Sequence, residues 1–337
     1  MLNFNKDEYL TVTNGALGLR NQIESCADKV MAKGFKNIFL LGSGGSIAIM
    51  YPFEYMINSL STIPAYAEIA SEFMLQNHKQ FTKDSLVILS SLSGTTEETV
   101  AAAEYCKERG ITTIGLVGEM GTALAEIVDY PIANYAENNF AADSINLQMY
   151  MLVFRLIYNN GEFSSYTAFI DELQTIPEEL VKVKEATDPK AEAFAKKYKD
   201  EEYHMLVGSG TAWGRTYAYS MCVLEEMQWI RTKAIHAAEF FHGTIELVDE
   251  EMSMILLKSE DETLPLMERV ERFAEKYTKK LTIFDTADYA LLGMSPEFRK
   301  YLAPLVLATA LQRVSIHLEK ERGHSLETRR YYRTVAY

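Results

Sequence analysis

With 337 residues, 48% hydrophobic and 24% charged, the chain has the make-up of a folded globular protein with room for two domains. A net charge of −14, a pI near 5.0 and the lack of a dense basic run argue against a nucleic-acid surface; no apolar run reaches membrane-spanning length. Cys26, Cys106 and Cys222 are scattered and fit no zinc spacing, and MLNFNKDEYL lacks the basic-then-apolar plan of a signal peptide, so the cytoplasm is expected.

Residues 13–33 carry the periodicity of an amphipathic helix closed by Gly34. An apolar strand follows at Ile38–Leu41, then the turn Gly42-Ser43-Gly44-Gly45-Ser46, then helix through Leu60. A dinucleotide fingerprint would need a third glycine where Ile47 stands, and a triphosphate loop would need Gly-Lys-Ser/Thr; both are missing. IPAYAEIA supplies a second short strand, with a helix start at Ser71-Glu72.

The run Leu86-Val87-Ile88-Leu89 then breaks into Ser90-Ser91-Leu92-Ser93-Gly94-Thr95-Thr96, and a helical pattern, TEETVAAAEYCKERG, begins at once. A strand that passes through hydroxyls and one glycine into a helix N-terminus makes an anion site. The first-turn N–H groups are unpaired, the macrodipole adds partial positive charge, and the hydroxyls add donors. An ordinary N-cap accounts for one hydroxyl, not for five residues of this kind among seven. No Lys or Arg lies in the loop, which suits a sugar phosphate better than a triphosphate with its metal.

Strands at 111–118 and 130–135 and a helix at 143–160 complete a first domain over 1–160. The β/α alternation predicts a parallel sheet covered by helices, with ligand beyond the carboxyl ends of the strands near the two Ser/Gly loops. Residues 161–200 read as a charged helical connector broken at Pro177 and Pro189. The plan repeats over 201–337: YHMLVGSGTAWGRTYAYSMCVLEEMQW is strand, Gly208-Ser209-Gly210 turn and long helix, close enough to the first unit to suggest duplication. Further strands fall at 232–237, 253–258 and 280–285, and a helix at 297–320 leads into an Arg/Tyr-rich tail. The loop after the 253–258 strand is Ser259-Glu260-Asp261-Glu262, whose carboxylates would repel phosphate. Only the first half is expected to bind it.

The densest titratable run extends from Glu225-Glu226 to Glu239-Phe240-Phe241-His242-Gly243. Adjacent helical glutamates point about 100° apart, so at most one faces a given cleft. A glutamate and His242, its pKa tuned by burial and by Glu239, form a plausible base and acid for proton shuttling at a sugar carbon. His78, His204, His236 and His317 have no metal-ligand spacing and read as structural or surface residues.

GSGGS (42–46), SLSGTT (91–96) and LEEMQWIRTKAIHAAEFFHGTIEL (224–247) resemble the sugar isomerase (SIS) family over nearly the whole chain. The resemblance implies an α/β fold of two tandem SIS domains, each a flavodoxin-like parallel sheet between helices. It also implies that Ser91, Ser93 and Thr96 hold a sugar phosphate, helped by Gly45 and Ser46. The spacing of Glu226 and His242 is that of the catalytic pair in the isomerase half of glucosamine-6-phosphate synthase, which selects Glu226 over Glu225.

Departures from that enzyme are informative. No Lys follows Lys320, where the synthase needs one to open the sugar ring; Val223 replaces its Lys a turn before the Glu; Thr244 replaces a Pro. A glutaminase domain is not expected ahead of the SIS pair. The tail, with His324, Arg329-Arg330-Tyr331-Tyr332 and Tyr337, resembles instead the fructosamine-6-phosphate deglycases. That likeness implies cleavage of a phosphorylated Amadori compound such as fructoselysine 6-phosphate to glucose 6-phosphate and a free amine. Glu226 and His242 would be catalytic and His324 would bind substrate, with no metal or redox cofactor. It further implies a homodimer or higher homo-oligomer in which a neighbouring subunit supplies the His. The rival readings are an aldose–ketose isomerase or deaminase acting on glucosamine 6-phosphate, and a non-catalytic sugar-phosphate sensor. The missing Lys counts against the first. Retention of Glu226 and His242, and a segment 1–12 too short for a DNA-binding domain, count against the second.

Overall fold

The computed structural model describes residues 1–134 and 140–335; Tyr135, expected in a strand, and Tyr337 lie outside them. The chain divides into two units, Asn5–Pro177 and the part from Glu178 onward, which Met1–Phe4 joins. The boundary falls inside the segment expected to be a separate connector.

In the first unit Asn5 caps α1 (Lys6–Gly18), its Oδ1 accepting from the N–H groups of Asp7 at 3.1 Å and Glu8 at 3.2 Å. A second helix, α2 (Arg20–Lys33), begins after Leu19. The single helix expected over 13–33 is therefore two helices, and the first starts earlier. Gly15 and Gly18, weak helix formers, sit just before the break. There follow β1 (Asn37–Gly42), α3 (Gly45–Leu60), β2 (Ala65–Ile69), α4 (Ala70–Gln76), β3 (Ser85–Ser91) and α5 (Glu97–Glu108). The unit ends with β4 (Thr112–Val117), α6 (Ala123–Ile127), β5 (Tyr130–Ala133), α7 (Ala141–Asn159) and α8 (Tyr166–Leu173).

Its five strands are all parallel, in the order β2-β1-β3-β4-β5, which is the flavodoxin-like order. β1, β3 and β4 are buried at every position, which is why they read as continuous apolar runs rather than alternating ones. Side-chain alternation sends Phe39, Leu41, Val87 and Leu89 into one core cluster with Phe73, Ala102, Cys106 and Leu124 of α4, α5 and α6.

The second unit carries α9 (Ile176–Tyr198), β6 (Tyr203–Gly208), a 3₁₀ turn at Gly210–Ala212, α10 (Trp213–Ala218) and a π-helical stretch at Tyr219–Glu225. Then come β7 (Arg231–His236), a 3₁₀ turn at Thr244–Leu247, β8 (Ser253–Lys258), α11 (Leu264–Tyr277), β9 (Lys280–Asp285), α12 (Pro296–Arg299) and α13 (Ala303–Arg322). The order β7-β6-β8-β9, again parallel, repeats the first unit without a fifth strand.

Two expectations need correction here. Pro189 does not break its helix. A proline inside a helix forfeits one hydrogen bond, but α9 seats Ala191, Phe194, Ala195 and Tyr198 in a core cluster with Leu206, Ile255 and Leu311, and that packing prevails. The long helix expected after Gly210 is instead a short α-helix that widens into π geometry: the Glu226 N–H donates to Met221 O at 3.1 Å, five residues back. Widened turns of this kind occur often at functional sites.

Candidate active site

The hydroxyl cluster sits where the strand order reverses. β1 and β3 are neighbours, with Leu41 beside Leu89, while the chain runs outward from them in opposite directions. Ligands of open α/β sheets bind in the crevice beyond the carboxyl ends at such a point. Both Ser/Gly loops leave from these two strands, so the topology brings Gly45, Ser46, Ser91, Ser93 and Thr96 to one end of the sheet.

The geometry of the β3 loop follows from its sequence. Gly94 has φ 63°, and a Cβ there would lie 2.1 Å from Thr122 Oγ1, so only glycine fits. The backbone is pinned on both sides: Leu92 O accepts from Gly118 N and Gly94 O from Leu124 N, each at 2.9 Å. Thr96 is the N-cap of α5, yet its side chain makes no cap bond. Its Oγ1 lies 2.9 Å from Ser91 Oγ in a hydroxyl–hydroxyl bond, while Ser93 Oγ accepts from Thr95 N at 3.3 Å and Thr95 Oγ1 at 3.1 Å. The hydroxyls thus form a fixed group at a helix N-terminus that carries no side-chain cap. Glu97 and Glu98 occupy the same first turn and temper its positive field. In the β1 loop Gly44 (φ 55°) is the N-cap of α3, also without a side-chain cap, leaving Gly45 exposed and Ser46 half-buried.

The counterpart in the second unit is filled from within. Asp261, 5% exposed, turns its carboxylate into the loops after β6 and β8. Its Oδ2 accepts from Thr211 N (2.7 Å), Thr211 Oγ1 (2.5 Å) and Ser259 Oγ (2.9 Å), and its Oδ1 from Thr263 N (2.8 Å) and Thr263 Oγ1 (2.6 Å). A side-chain anion thus takes the donors that an external anion would use. Asp261→Ala should lower stability by about 2–4 kcal/mol, because several buried donors lose their acceptor together. Urea unfolding of the whole protein measures this, and a change below about 1 kcal/mol would mean the cradle re-pairs without the carboxylate.

Glu226 follows directly on the π-helical stretch. Its Oε1 receives the Arg329 Nε–H at 3.0 Å, and burial pushes its carboxyl above the ordinary range, an effect Arg329 and Arg333 only partly offset. The adjacent Glu225 has a different partner, accepting from Thr232 Oγ1 at 2.5 Å. The two carboxylates therefore have separate surroundings, as their helical spacing implies. Trp229 has φ 55°, a backbone region that costs a bulky residue on the order of 1–3 kcal/mol. Its ring is held edge-on by His324, with centroids 4.5 Å apart, and faced by the Arg330 guanidinium at 3.9 Å.

His324 is half-buried. Burial, with the charges of Arg322 and Arg330, pulls its pKa below the ordinary histidine value, which favours the neutral imidazole; its Nε2 has no hydrogen-bond partner among the described residues. His242 differs from expectation. Its turn leaves it exposed, while the neighbouring Phe240 side chain takes the buried position. Among the described residues no hydrogen bond or ion pair joins His242 to Glu226. The Glu226–Arg329 pair was not foreseen from the sequence, in which the Arg-rich tail shows only as composition.

The SIS domain pattern matches residues 34–158, the span of β1 to α7. The chain is 37% identical to fructosamine deglycase FrlB of Bacillus subtilis, covering 95% of this chain and 98% of that one. The chain belongs to the SIS-domain family. A solved structure of a candidate phosphosugar isomerase from Bacillus subtilis superposes with a TM-score of 0.88 at 34% identity, over 94% of this chain and 97% of the other. The isomerizing glutamine–fructose-6-phosphate aminotransferase of Chlorobaculum tepidum is 25% identical over 88% of this chain, which spans 50% of that relative's length. Two tandem parallel sheets, one of five strands and one of four, are the SIS architecture in this chain. Among the described residues no helix is long and apolar enough to cross a membrane.

Proposed function

We propose that the protein is a deglycase that splits a 6-phosphorylated Amadori compound, such as fructoselysine 6-phosphate, into glucose 6-phosphate and a free amine. One coincidence carries this reading. A chain that resembles a fructosamine deglycase from end to end also holds, at Glu226, a half-buried carboxylate whose affinity for a proton is raised. Abstraction of a proton beside a carbonyl is helped by a carboxylate more basic than a solvated one.

In the proposed sequence Ser91, Ser93 and Thr96, with Gly45 and Ser46, take the 6-phosphate of the open-chain keto-amine. Glu226 removes a C1 proton, giving an enolamine, and a proton is returned to C2. The C1–nitrogen bond is then a Schiff base. His242 exchanges protons with the sugar oxygens, water adds to C1, and the amine leaves. His324 contacts the substrate as a neutral group. Purified protein incubated with phosphorylated Amadori compounds should release glucose 6-phosphate; release of fructose 6-phosphate and ammonia from glucosamine 6-phosphate, with no cleavage of the Amadori compounds, would favour the deaminase reading.

The exposure of His242 supports its service to a second copy of the chain. Glu226→Gln and His242→Ala proteins, each inactive, should regain part of the activity when mixed under conditions of subunit exchange. Hybrids that form by mass yet stay inactive would place both groups in one chain's site.

A further inference from the structure

The Glu226–Arg329 pair is more than a surface contact. Both side chains are largely enclosed, 24% and 18% exposed, and the guanidinium is anchored by its own turn, Nη1 donating to Leu326 O at 2.6 Å and Thr328 O at 3.1 Å. That turn is tied to the residues just beyond Glu226. Gln228 Nε2 donates to His324 O at 2.9 Å, and Arg330 and His324 hold the Trp229 ring between them. Leu326 N–H donates to Glu319 Oε1 at 2.9 Å, fastening the turn to the end of α13. Residues 226–229 and 324–330 thus lock together from distant parts of the sequence, and the lock includes the carboxylate itself. An exposed ion pair, worth little on its own, has no such scaffold.

We propose that Arg329 is a positioning residue for Glu226: it sets the direction in which the carboxylate points and supplies its counter-charge. This rests on Glu226 being the base. The titratable groups facing Glu226 are Cys222 from its own helix and Arg329 and Arg333 from the tail. Of these, Arg329 bonds directly to it, and Arg333 acts on it through its charge. Removing the guanidinium leaves burial opposed only by Arg333, so the carboxyl should take up a proton at higher pH.

The test is a set of pH–rate profiles for wild type, Arg329→Gln, Arg329→Lys and Glu226→Gln, with folding checked by circular dichroism. Arg329→Gln should move the acidic limb of kcat/KM up by about one pH unit. It should also lower kcat on the plateau about tenfold, with KM changed far less. Arg329→Lys restores the charge but not the planar, anchored fork, so the limb should return towards wild type while kcat stays reduced. With Glu226→Gln inactive, an Arg329→Gln profile superimposable on wild type would overturn the inference and leave the base in place. An active Glu226→Gln would overturn the reading beneath it. If Arg329→Gln does not fold, Arg329→Lys decides: a kcat equal to wild type would show that positioning by the guanidinium is not needed.

Discussion

Glu226→Gln should reduce turnover by about 10²-fold or more while substrate still binds. The amide keeps the size and shape of the carboxylate but cannot accept a proton at neutral pH. The hydroxyl loop after β3 is untouched, so affinity for the sugar phosphate should hold. Glu225→Gln is the matched control. Its carboxylate bonds to Thr232 rather than to Arg329, and its loss should change turnover little. Steady-state release of glucose 6-phosphate by the two variants, side by side, measures the difference. A dead Glu225→Gln beside an active Glu226→Gln would put the base one residue earlier. Full activity in both would remove this helix from the chemistry.

The second large effect concerns the phosphate. Ser93→Ala/Thr96→Ala removes two hydroxyls from the bonded group at the start of α5. A donor to a charged ligand contributes about 1.5–3 kcal/mol, so affinity for sugar 6-phosphates should fall at least tenfold. The fold should survive, since Thr96 makes no cap bond and the loop is held by backbone pairs to Gly118 and Leu124. Calorimetric titration with glucose 6-phosphate, with circular dichroism as the control, gives the answer. An affinity equal to that of wild type would send the phosphate to another part of the protein.

Much of this arrangement could be read before any coordinates. β8 and β9 were legible to the residue: β8, buried at every position, is an apolar run between Ser253 and Lys258, and β9, an edge strand with only Phe284 buried, is still bounded by Lys280 and Asp285. The β3 loop was legible because hydroxyls, glycine and a helical period meet within a few residues. What escaped was set by contacts from afar. Local periodicity carries α10 on as a regular helix, whereas its packing widens it to π geometry before Glu226. Pro189 signals a break, yet the core packing of Ala191, Phe194, Ala195 and Tyr198 keeps α9 whole. The start of α1 was present as an Asn5 cap with Asp7 and Glu8 behind it, but weak apolar periodicity masked it. Arg329 could not be paired with Glu226 from sequence, since nothing in either segment names its partner.

The most direct measurement follows the two hydrogens on C1. Abstraction by Glu226 breaks one C1–H bond before the amine leaves, whereas direct hydrolysis of the C1–nitrogen bond breaks none. Fructoselysine 6-phosphate carrying deuterium at both C1 positions should therefore yield glucose 6-phosphate with one deuterium left on C1, identified by NMR. Release of fructose 6-phosphate with both deuteriums retained on C1 would contradict proton abstraction, and with it the deglycase mechanism assigned to Glu226.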